Sequence, residues 1–244
     1  MLDVVQISYN EETAEENFQI LLTQAPHAKR VIGVKGIFEA HKAAAEIAET
    51  SHFYVVDADA IMEEDFQFKF RPDARKMVYG STPETDCVYC WRSRNPVNDL
   101  VYGYGALKMF PRKLMLGAKK WNVDMTTTLG VPFVPKFQIS NITAFNTNPF
   151  ETWKSAFREC TKLSSSIIPN GDNYDNEYRL GIWCSRGEER PFGEYCVMGA
   201  NQGREFGQHY RTNDKILKLI NDFDWLHEQF NKTVDNDDDR EDID

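Results

Sequence analysis

The sequence predicts an α/β fold whose first strands are parallel and alternate with helices. Two observations support this prediction. Short apolar runs recur between amphipathic, helix-length segments up to residue 60, and the third run ends directly in two carboxylates, Asp57 and Asp59. Strands that alternate with helices of this length form parallel sheets with helical crossovers. The length of 244 residues suits one compact domain.

The first predicted strand covers residues 4–7, and a polar loop of Ser8, Tyr9 and Asn10 follows it. Thr13 then has capping-box spacing with Glu16. An apolar face over residues 14–22 predicts a helix, which Pro26 ends.

The second strand is predicted over residues 31–34, and a narrow alanine stripe predicts a second helix that ends near Ser51. Residues 53–56 are a short, wholly apolar run, as expected of a buried parallel strand. Asp57 and Asp59 follow at its carboxyl end, which is where open α/β sheets bind ligands.

Two carboxylates one residue apart at a strand end suit a divalent cation that holds a diphosphate. The chain has no Gly-x-Gly-x-x-Gly after any strand and no Walker lysine motif, so these glycine cradles for phosphates are absent. The sequence therefore predicts Mn²⁺ or Mg²⁺ at Asp57 and Asp59. The alternative is that both residues only cap the next segment.

The chain resembles the GT-A-type glycosyltransferases. The resemblance rests on the strand and polar loop at residues 5–10, the helix at residues 36–44 with His41 and Lys42, and the strand that ends in Asp-x-Asp. Residues 101–112 are similar to the acceptor-side segment of these enzymes. More narrowly, the chain resembles a small tailed-phage group of nucleotide-sugar transferases over residues 145–147, 152–159 and 220–226.

The resemblance implies a GT-A fold with a mixed central sheet in one catalytic domain, residues 1–234. Residues 1–65 would be the nucleotide-binding half and residues 66–234 the acceptor-side half. It implies transfer of a sugar from a nucleotide sugar, foremost a UDP-sugar, to a hydroxyl group. The preferred acceptor is hydroxymethylcytosine in double-stranded phage DNA, with a carbohydrate or protein acceptor as the alternative. The implied donor-binding residues are Ser8, Tyr9, Asn10, Lys35, His41 and Asp57.

Within this resemblance, Asp59 is the expected direct metal ligand, and Asp57 contacts the ribose or the metal through water. His209 is the expected third ligand by its late position, with a plain surface histidine as the alternative. An inverting transferase needs a carboxylate base. Glu159 is the first candidate, with Asp124 and Asp172 in reserve. The alternative for Glu159 is a salt bridge with Lys162 or Arg158, and the stereochemistry stays open.

Charge is unevenly distributed along the chain. Of the net charge of −10, residues 235–244 contribute −6, which predicts an acidic, disordered tail. Residues 87–123 carry +6, with tryptophan and tyrosine interleaved, as a surface that tracks phosphates and stacks bases requires. The alternative is a solvated basic face. The predicted acceptor-binding residues are Arg92, Arg94, Tyr104, Gly105, Lys108, Arg112 and Lys113.

The remaining patterns concern the cellular compartment and the cysteines. No apolar run approaches the length of a membrane span, and no signal peptide precedes the first strand, so a cytoplasmic protein is expected, in the host cytoplasm if phage-encoded. Cys87 and Cys90 have no second ligand pair at zinc spacing and are expected to be free thiols.

Three other functions share features with the predicted transferase. A haloacid-dehalogenase-type phosphatase carries its Asp-x-Asp on the first strand, whereas this one follows the third. A nucleotidyltransferase would carry a glycine-rich basic loop after its first strand, where this chain has Ser8, Tyr9 and Asn10. An inactive nucleotide-sugar-binding module is the alternative that is not an enzyme.

Overall fold

The computed structural model describes residues 1–103, 105–119, 123–124, 129–165, 167 and 173–241, with the backbone alone at 173–174 and 235–241. Two predicted site residues, Tyr104 and Asp172, lie outside the described residues. The chain divides into two compact units. Unit 1 comprises residues 1–121 and 128–144, and unit 2 comprises residues 122–127 and 145–244. The main division thus follows Ala144, whereas the sequence suggested a change of role after residue 65 within one domain.

Unit 1 opens with the predicted order of strand, helix, strand, helix and strand, which is confirmed. The elements are β1 (Asp3–Ser8), α1 (Ala14–Gln24), β2 (Lys29–Ile32), α2 (Ile37–Ile47), β3 (His52–Asp57), β4 (Ala60–Met62), β5 (Met77–Val78), β6 (Thr82–Pro83), β7 (Val88–Arg94), β8 (Val101–Tyr102), β9 (Leu107–Pro111), α3 (Arg112–Gly117) and β10 (Phe133–Thr143). A 3-10 turn, Glu84–Asp86, precedes β7. Thr13 precedes α1 but makes no capping bond, because its hydroxyl accepts the amide of Asn17 instead.

The sheet of unit 1 is mixed, as the resemblance implied. Its order is β2-β1-β3-β9-β7-β10-β4, with β8 beside β7. β1 pairs in parallel with both β2 and β3, whereas β9 is antiparallel to β3 and to β7. β7 and β10 are parallel to each other. The carboxyl ends of β1, β2, β3, β7 and β10 therefore share one edge of the sheet.

A short connection forces this sheet to curl. β3 ends at Asp57 and β4 begins at Ala60, and three Cα steps span at most about 11 Å. In the sheet order β4 lies four positions from β3, which is about 19 Å across a flat sheet. The sheet closes this gap by bending, helped by register irregularities in β10 between Lys136 and Asn141.

β3 lies at the centre of the apolar core of unit 1. All of its residues except Asp57 are buried. Tyr54 packs against Trp91 of β7 and Phe68, and Leu107 and Met109 of β9 complete the layer. The burial of a whole strand on both faces explains why its sequence is continuously apolar rather than alternating.

Asp3 is a buried carboxylate at the start of β1. It therefore lies at the edge of the sheet opposite the carboxyl ends of the parallel strands. Its Oδ2 accepts hydrogen bonds from the backbone N–H groups of Glu49 at 2.7 Å and Thr50 at 2.9 Å. Lys29 Nζ lies 3.3 Å from its Oδ1. Burial raises the pKa of Asp3, but these donors outweigh it and hold the pKa at about 2. The carboxylate thereby ties the end of the α2 segment to the first strand.

We expect Asp3→Asn to lower the free energy of unfolding by about 2 kcal/mol at pH 7, since the folded pKa lies well below that of an unfolded aspartate. An aspartate whose pKa is lowered by folding stabilises the folded state fully above about pH 4, and this stabilisation is lost as the pH falls toward 2. Urea unfolding at pH 7 and pH 3 should show the difference shrinking by about half. Glu46→Gln, an exposed change on α2, is the control. A pH-independent loss for Asp3→Asn would contradict this account.

Unit 2 is helical in its described part. Its elements are α4 (Pro149–Ser165), α5 (Asn173–Trp183), α6 (Gly193–His209), α7 (Asp214–Leu217), a 3-10 turn at Lys218–Asn221, and α8 (Phe223–Glu241). α8 includes residues 235–241, which the sequence assigned to a disordered tail. Over the described residues of the whole chain, no helix combines the length and the apolar character needed to span a membrane.

Glycines let α4 and α6 pack backbone against backbone. A Cβ atom at Gly199 would lie 2.4 Å from the carbonyl oxygen of Trp153, and one at Gly203 would lie 2.2 Å from that of Phe157. Thr161 Oγ1 also donates to the carbonyl of Gly203 at 3.1 Å. The two helices are closer than any side chain at these glycines allows.

We expect Gly203→Ala to destabilise the protein by about 3 kcal/mol or more, because the new methyl group meets a backbone atom that cannot rotate away. Gly181→Ala is the matched control, since Gly181 lies in α5 with nothing within 4 Å of the added Cβ. That change should be neutral or stabilise by up to about 1 kcal/mol. Thermal unfolding of both variants measures this, and equal melting temperatures would contradict the close packing.

Candidate functional site

The polar loops of unit 1 gather at the carboxyl edge of its sheet. Ser8, Gly33 and Asp57 end or follow the parallel strands β1, β2 and β3, so their loops are neighbours. β9 begins at the same edge, since it is antiparallel to β3. The Asp57 N–H group donates to the carbonyl of Ala106 at 2.8 Å. This edge is where open α/β sheets bind ligands.

Asp57 and Asp59 lie on a turn whose backbone carbonyls accept hydrogen bonds from two other segments. The buried Ala58 between them accepts a 2.8 Å hydrogen bond from Asn17 Nδ2 of α1. The carbonyl of Asp59 accepts the N–H group of Ala144, after β10, at 2.7 Å. Both aspartates are half-buried. The backbone is thus fixed, and two carboxylates are held one residue apart at the edge of the sheet.

Lys108 provides a positive charge next to Asp57. It lies in β9 opposite Val55 of β3, and its Nζ is 3.7 Å from Asp57 Oδ2. A Cβ atom at Gly105, where φ is +98°, would lie 3.1 Å from Lys108 Cε, so the glycine leaves room for this lysine. Lys108, predicted to bind the acceptor, is therefore a direct partner of the predicted donor-side carboxylate.

His41 is buried in the interior of unit 1 and is not exposed at this edge. The side chain is fully buried, with its ring edge-on to Phe110 at 5.4 Å between centroids. Its Nδ1 is 2.8 Å from the carbonyl of Ile37 and must donate, because a carbonyl only accepts. Burial, followed by the charge of Lys108, lowers its pKa well below the usual range. His41 is therefore neutral at physiological pH.

The other predicted donor-binding residues surround the aspartates unequally. Ser8 is buried, and its hydroxyl donates to the carbonyl of Val31 at 3.4 Å. Tyr9 and Asn10 are exposed, as is Lys35 in the loop before α2. The amino end of α2 is covered by its own Glu39, whose Oε2 would lie 2.3 Å from a Cβ atom at Gly36. Of the six predicted donor-binding residues, Tyr9, Asn10 and Lys35 are the exposed ones.

The structure separates the predicted acceptor-binding residues into two groups. Arg94 ends β7 at the carboxyl edge, where it pairs with Val101 of β8. Arg112 lies at the opposite edge, because β9 runs antiparallel and its Pro111 pairs with His52. There Arg112 Nε donates to the carbonyl of Ala45 at 2.9 Å. The two edges are about 17 Å apart along β3, so Arg112 and the adjacent Lys113 are not brought to Asp57.

Arg92 forms a surface pair with an exposed aromatic ring. Its guanidinium carbon lies 4.9 Å from the ring centroid of Phe137. Phe137 sits at the irregularity of β10, and 75% of it is exposed. An exposed ring with an arginine over it is costly to hydrate and offers a stacking face together with a positive charge.

The two predicted catalytic carboxylates meet around one lysine in unit 2. Lys162 Nζ lies 3.0 Å from Glu159 Oε2 and 3.8 Å from Asp124 Oδ2. Burial lowers the pKa of Lys162, but the attraction of Glu159 and then Asp124 outweighs it and leaves the pKa above its usual value. Glu159 is buried. The alternative foreseen for Glu159, a salt bridge with Lys162, is therefore present.

His209 is an exposed residue at the end of α6 in unit 2, with its ring edge-on to Tyr210. It lines an open cleft of about 480 Å³ together with Phe206, Tyr210 and Trp225. Asp57 and Asp59 belong to unit 1. Within the described ranges, no group of three or more His, Cys, Asp or Glu side chains is placed to hold a metal ion.

Sequence reasoning missed Asn17, which positions the aspartate turn. The signal was available: Asn17 lies on the same helical face as Ala14 and Leu21, and all three are buried. A polar side chain in an apolar stripe has to satisfy its hydrogen bonds inside the protein. Here that partner is the carbonyl between the two aspartates.

A scan of the chain against protein-family models gives no match, and a search of curated proteins gives none either.

The pairing of Lys108 with Asp57 leads to a prediction about cation binding. We expect Lys108→Met to tighten Mn²⁺ binding by about tenfold in the absence of nucleotide, because a positive charge near the carboxylates repels the cation. Lys113→Met, an exposed lysine at the opposite edge, is the control. Calorimetric titration with Mn²⁺ measures both. Unchanged or weaker binding by the Lys108 variant would rule out a cation site at Asp57.

Proposed function

We propose that this chain is a GT-A-type glycosyltransferase of the cytoplasm that transfers a sugar from a nucleotide sugar, foremost a UDP-sugar, to a hydroxyl group. The observation that carries the proposal is the turn of Asp57 and Asp59, whose backbone is fixed by hydrogen bonds from Asn17 and Ala144. It lies at the carboxyl edge of the parallel strands, next to the loops of Tyr9, Asn10 and Lys35. A sheet edge of this kind accommodates a nucleotide.

The donor set of the edge fits a divalent cation. Two half-buried carboxylates supply hard oxygen ligands at a fixed spacing, and Mg²⁺ sites commonly use one or two carboxylates plus substrate phosphates. We assign Asp59 as the direct ligand and Asp57 as a ligand or ribose contact. When bound, Mn²⁺ or Mg²⁺ would act as a Lewis acid toward the leaving diphosphate.

The side chains of the chain would act mainly by orientation and charge. Lys108 neutralises Asp57 in the absence of ligand, and its ammonium group can turn toward a phosphate. Lys35 adds a second positive charge from the loop before α2, on an exposed residue. For an inverting reaction, Glu159 or Asp124 would take the proton of the acceptor hydroxyl. Either carboxylate would first have to leave Lys162.

The preferred acceptor is hydroxymethylcytosine in double-stranded DNA. Arg92 over Phe137 offers charge next to a stacking face, and Arg94 adds a second guanidinium on the same strand. Proteins that bind nucleic acids combine positive charge with such aromatic faces. Arg112 and Lys113 are left out of this surface because they lie at the opposite edge.

The first test screens nucleotide sugars for hydrolysis with Mn²⁺. We expect activity that needs the cation, and Asp59→Asn should lower it by at least about 100-fold, because loss of a metal-binding group removes the charge that stabilises the leaving diphosphate. Asp65→Asn, an exposed aspartate shortly after β4, should leave the rate unchanged. Full activity in excess chelator, or in the Asp59 variant, would overturn the metal-dependent mechanism.

The second test concerns the acceptor. Duplex DNA with hydroxymethylcytosine should accept the sugar, whereas unmodified DNA should not. Each lost phosphate contact should lower the salt slope of DNA binding by about 0.9. We expect this for Arg94→Ala but not for Lys113→Ala. Equal salt slopes for both variants, or no binding that depends on salt, would replace DNA by a carbohydrate or protein acceptor.

A further inference from the structure

The open cleft of about 480 Å³ in unit 2 is lined by one face of α6 and one face of α8. α6 contributes Gln202, Phe206 and His209, which follow one another at helical spacing and so share a face. α8 contributes Trp225 and Gln229 in the same way. All the residues that line this cleft belong to unit 2, whereas the proposed donor site belongs to unit 1.

Aromatic rings in mutual contact form much of the cleft wall. The ring centroid of Phe206 lies 5.4 Å from that of Phe157, 4.9 Å from that of Tyr210 and 5.5 Å from that of Trp225. Phe157 is buried, but Phe206, Tyr210 and Trp225 are half-buried. A concave site with aromatic walls and a few polar groups is typical of a ligand pocket.

Two side-chain amides lie beside these rings. The Oε1 atom of Gln202 accepts the indole N–H group of Trp153 at 2.7 Å. Because an indole only donates, this bond settles which end of the amide is which, and Nε2 of Gln202 points away from Trp153. Gln229 adds a second, half-buried amide from α8. The cleft therefore combines ring faces with neutral donors and acceptors.

Charge in the cleft wall is balanced. Among the described residues that line it, Glu205 and Lys232 carry opposite charges, and His209 is the third titratable group. A site for a nucleotide or for nucleic acid needs positive charge against the phosphates. This wall offers a single lysine and offsets it with a glutamate, which favours an uncharged ligand.

We propose that this aromatic cleft binds a neutral saccharide. The C–H groups on the face of a sugar ring carry partial positive charge, because each carbon is bonded to oxygen, and they pack on the negative face of an aromatic ring. The hydroxyl groups at the edge of the sugar donate and accept, as the amides of Gln202 and Gln229 do. A nucleobase also stacks on rings, but in DNA it brings phosphates that this wall does not neutralise. The proposal does not rest on sugar transfer by unit 1.

The test titrates the full chain with saccharides in the absence of nucleotide and metal, by calorimetry. The probes are methyl glucoside, methyl galactoside, N-acetylglucosamine, maltotriose and cellotriose, with cytidine and cytidine monophosphate for comparison. We expect at least one saccharide to bind with a Kd of about 10 mM or tighter. Because the ligand is uncharged, its affinity should be the same at about 50 mM and about 500 mM salt.

Variants locate the binding site. Trp225→Leu should weaken saccharide binding by at least about tenfold, because it removes a stacking face, and Trp225→Phe should restore most of the affinity. Gln229→Ala should weaken binding by about threefold or more, because it removes a hydrogen-bonding amide. Tyr178→Leu changes an exposed aromatic residue of α5 that does not line the cleft, and it should have no effect. Asp59→Asn, in unit 1, should also leave this binding unchanged.

Four outcomes would overturn the proposal. The first is that none of the five saccharides binds, and the second is that cytidine or its monophosphate binds more tightly than all of them. The third is saccharide binding that neither Trp225→Leu nor Gln229→Ala weakens. The fourth is loss of saccharide binding in Asp59→Asn, which would place the sugar in unit 1.

Discussion

The two-residue connection between β3 and β4 is the constraint on which the candidate site depends. Asp57 and Ala60 cannot be farther apart than three Cα steps allow, although their strands lie at distant positions in the sheet order. The curl that follows brings the end of β10 to the end of β3, so Ala144 binds the carbonyl of Asp59. α1 supplies Asn17 to the carbonyl between the aspartates. Two separate segments, α1 and the end of β10, therefore hold the backbone of the turn that carries the two carboxylates.

The elements up to Asp59 were predictable because each depends on local patterns. The apolar run at residues 53–56 predicted a buried strand, and these residues of β3 are buried. Parallel pairing of the first three strands followed from their alternation with helices. The start of α1 at Ala14 was predictable as well, but the capping bond was not. Thr13 has capping-box spacing, but its hydroxyl bonds to the Asn17 side chain, because Asn17 is held in place by the aspartate turn.

Beyond residue 60 the arrangement depends on pairings between distant residues, which local patterns do not contain. Residues 101–112 were interpreted as one acceptor-side segment. However, β9 runs antiparallel to β3, so Lys108 lies toward the carboxyl edge and Arg112 lies at the opposite edge. Glu159 and Asp124 were treated as separate candidates, and only the fold brings both to Lys162. His41 is a donor-binding candidate only through the resemblance, and the same fold buries it and lowers its pKa well below the usual range.

The glycine contacts between α4 and α6 restrict how this protein can diverge. At Gly199 and Gly203 the facing atoms belong to the backbone of Trp153 and Phe157, so no change in the partner's side chain makes room for a larger residue. Only a shift of the whole α4 helix would do so, and that shift would disturb every residue along its length. Homologues should therefore keep glycine at both positions, or have replaced them together with a wider spacing of the two helices. Intermediate sequences, with one glycine lost, would be the least stable and should be rare.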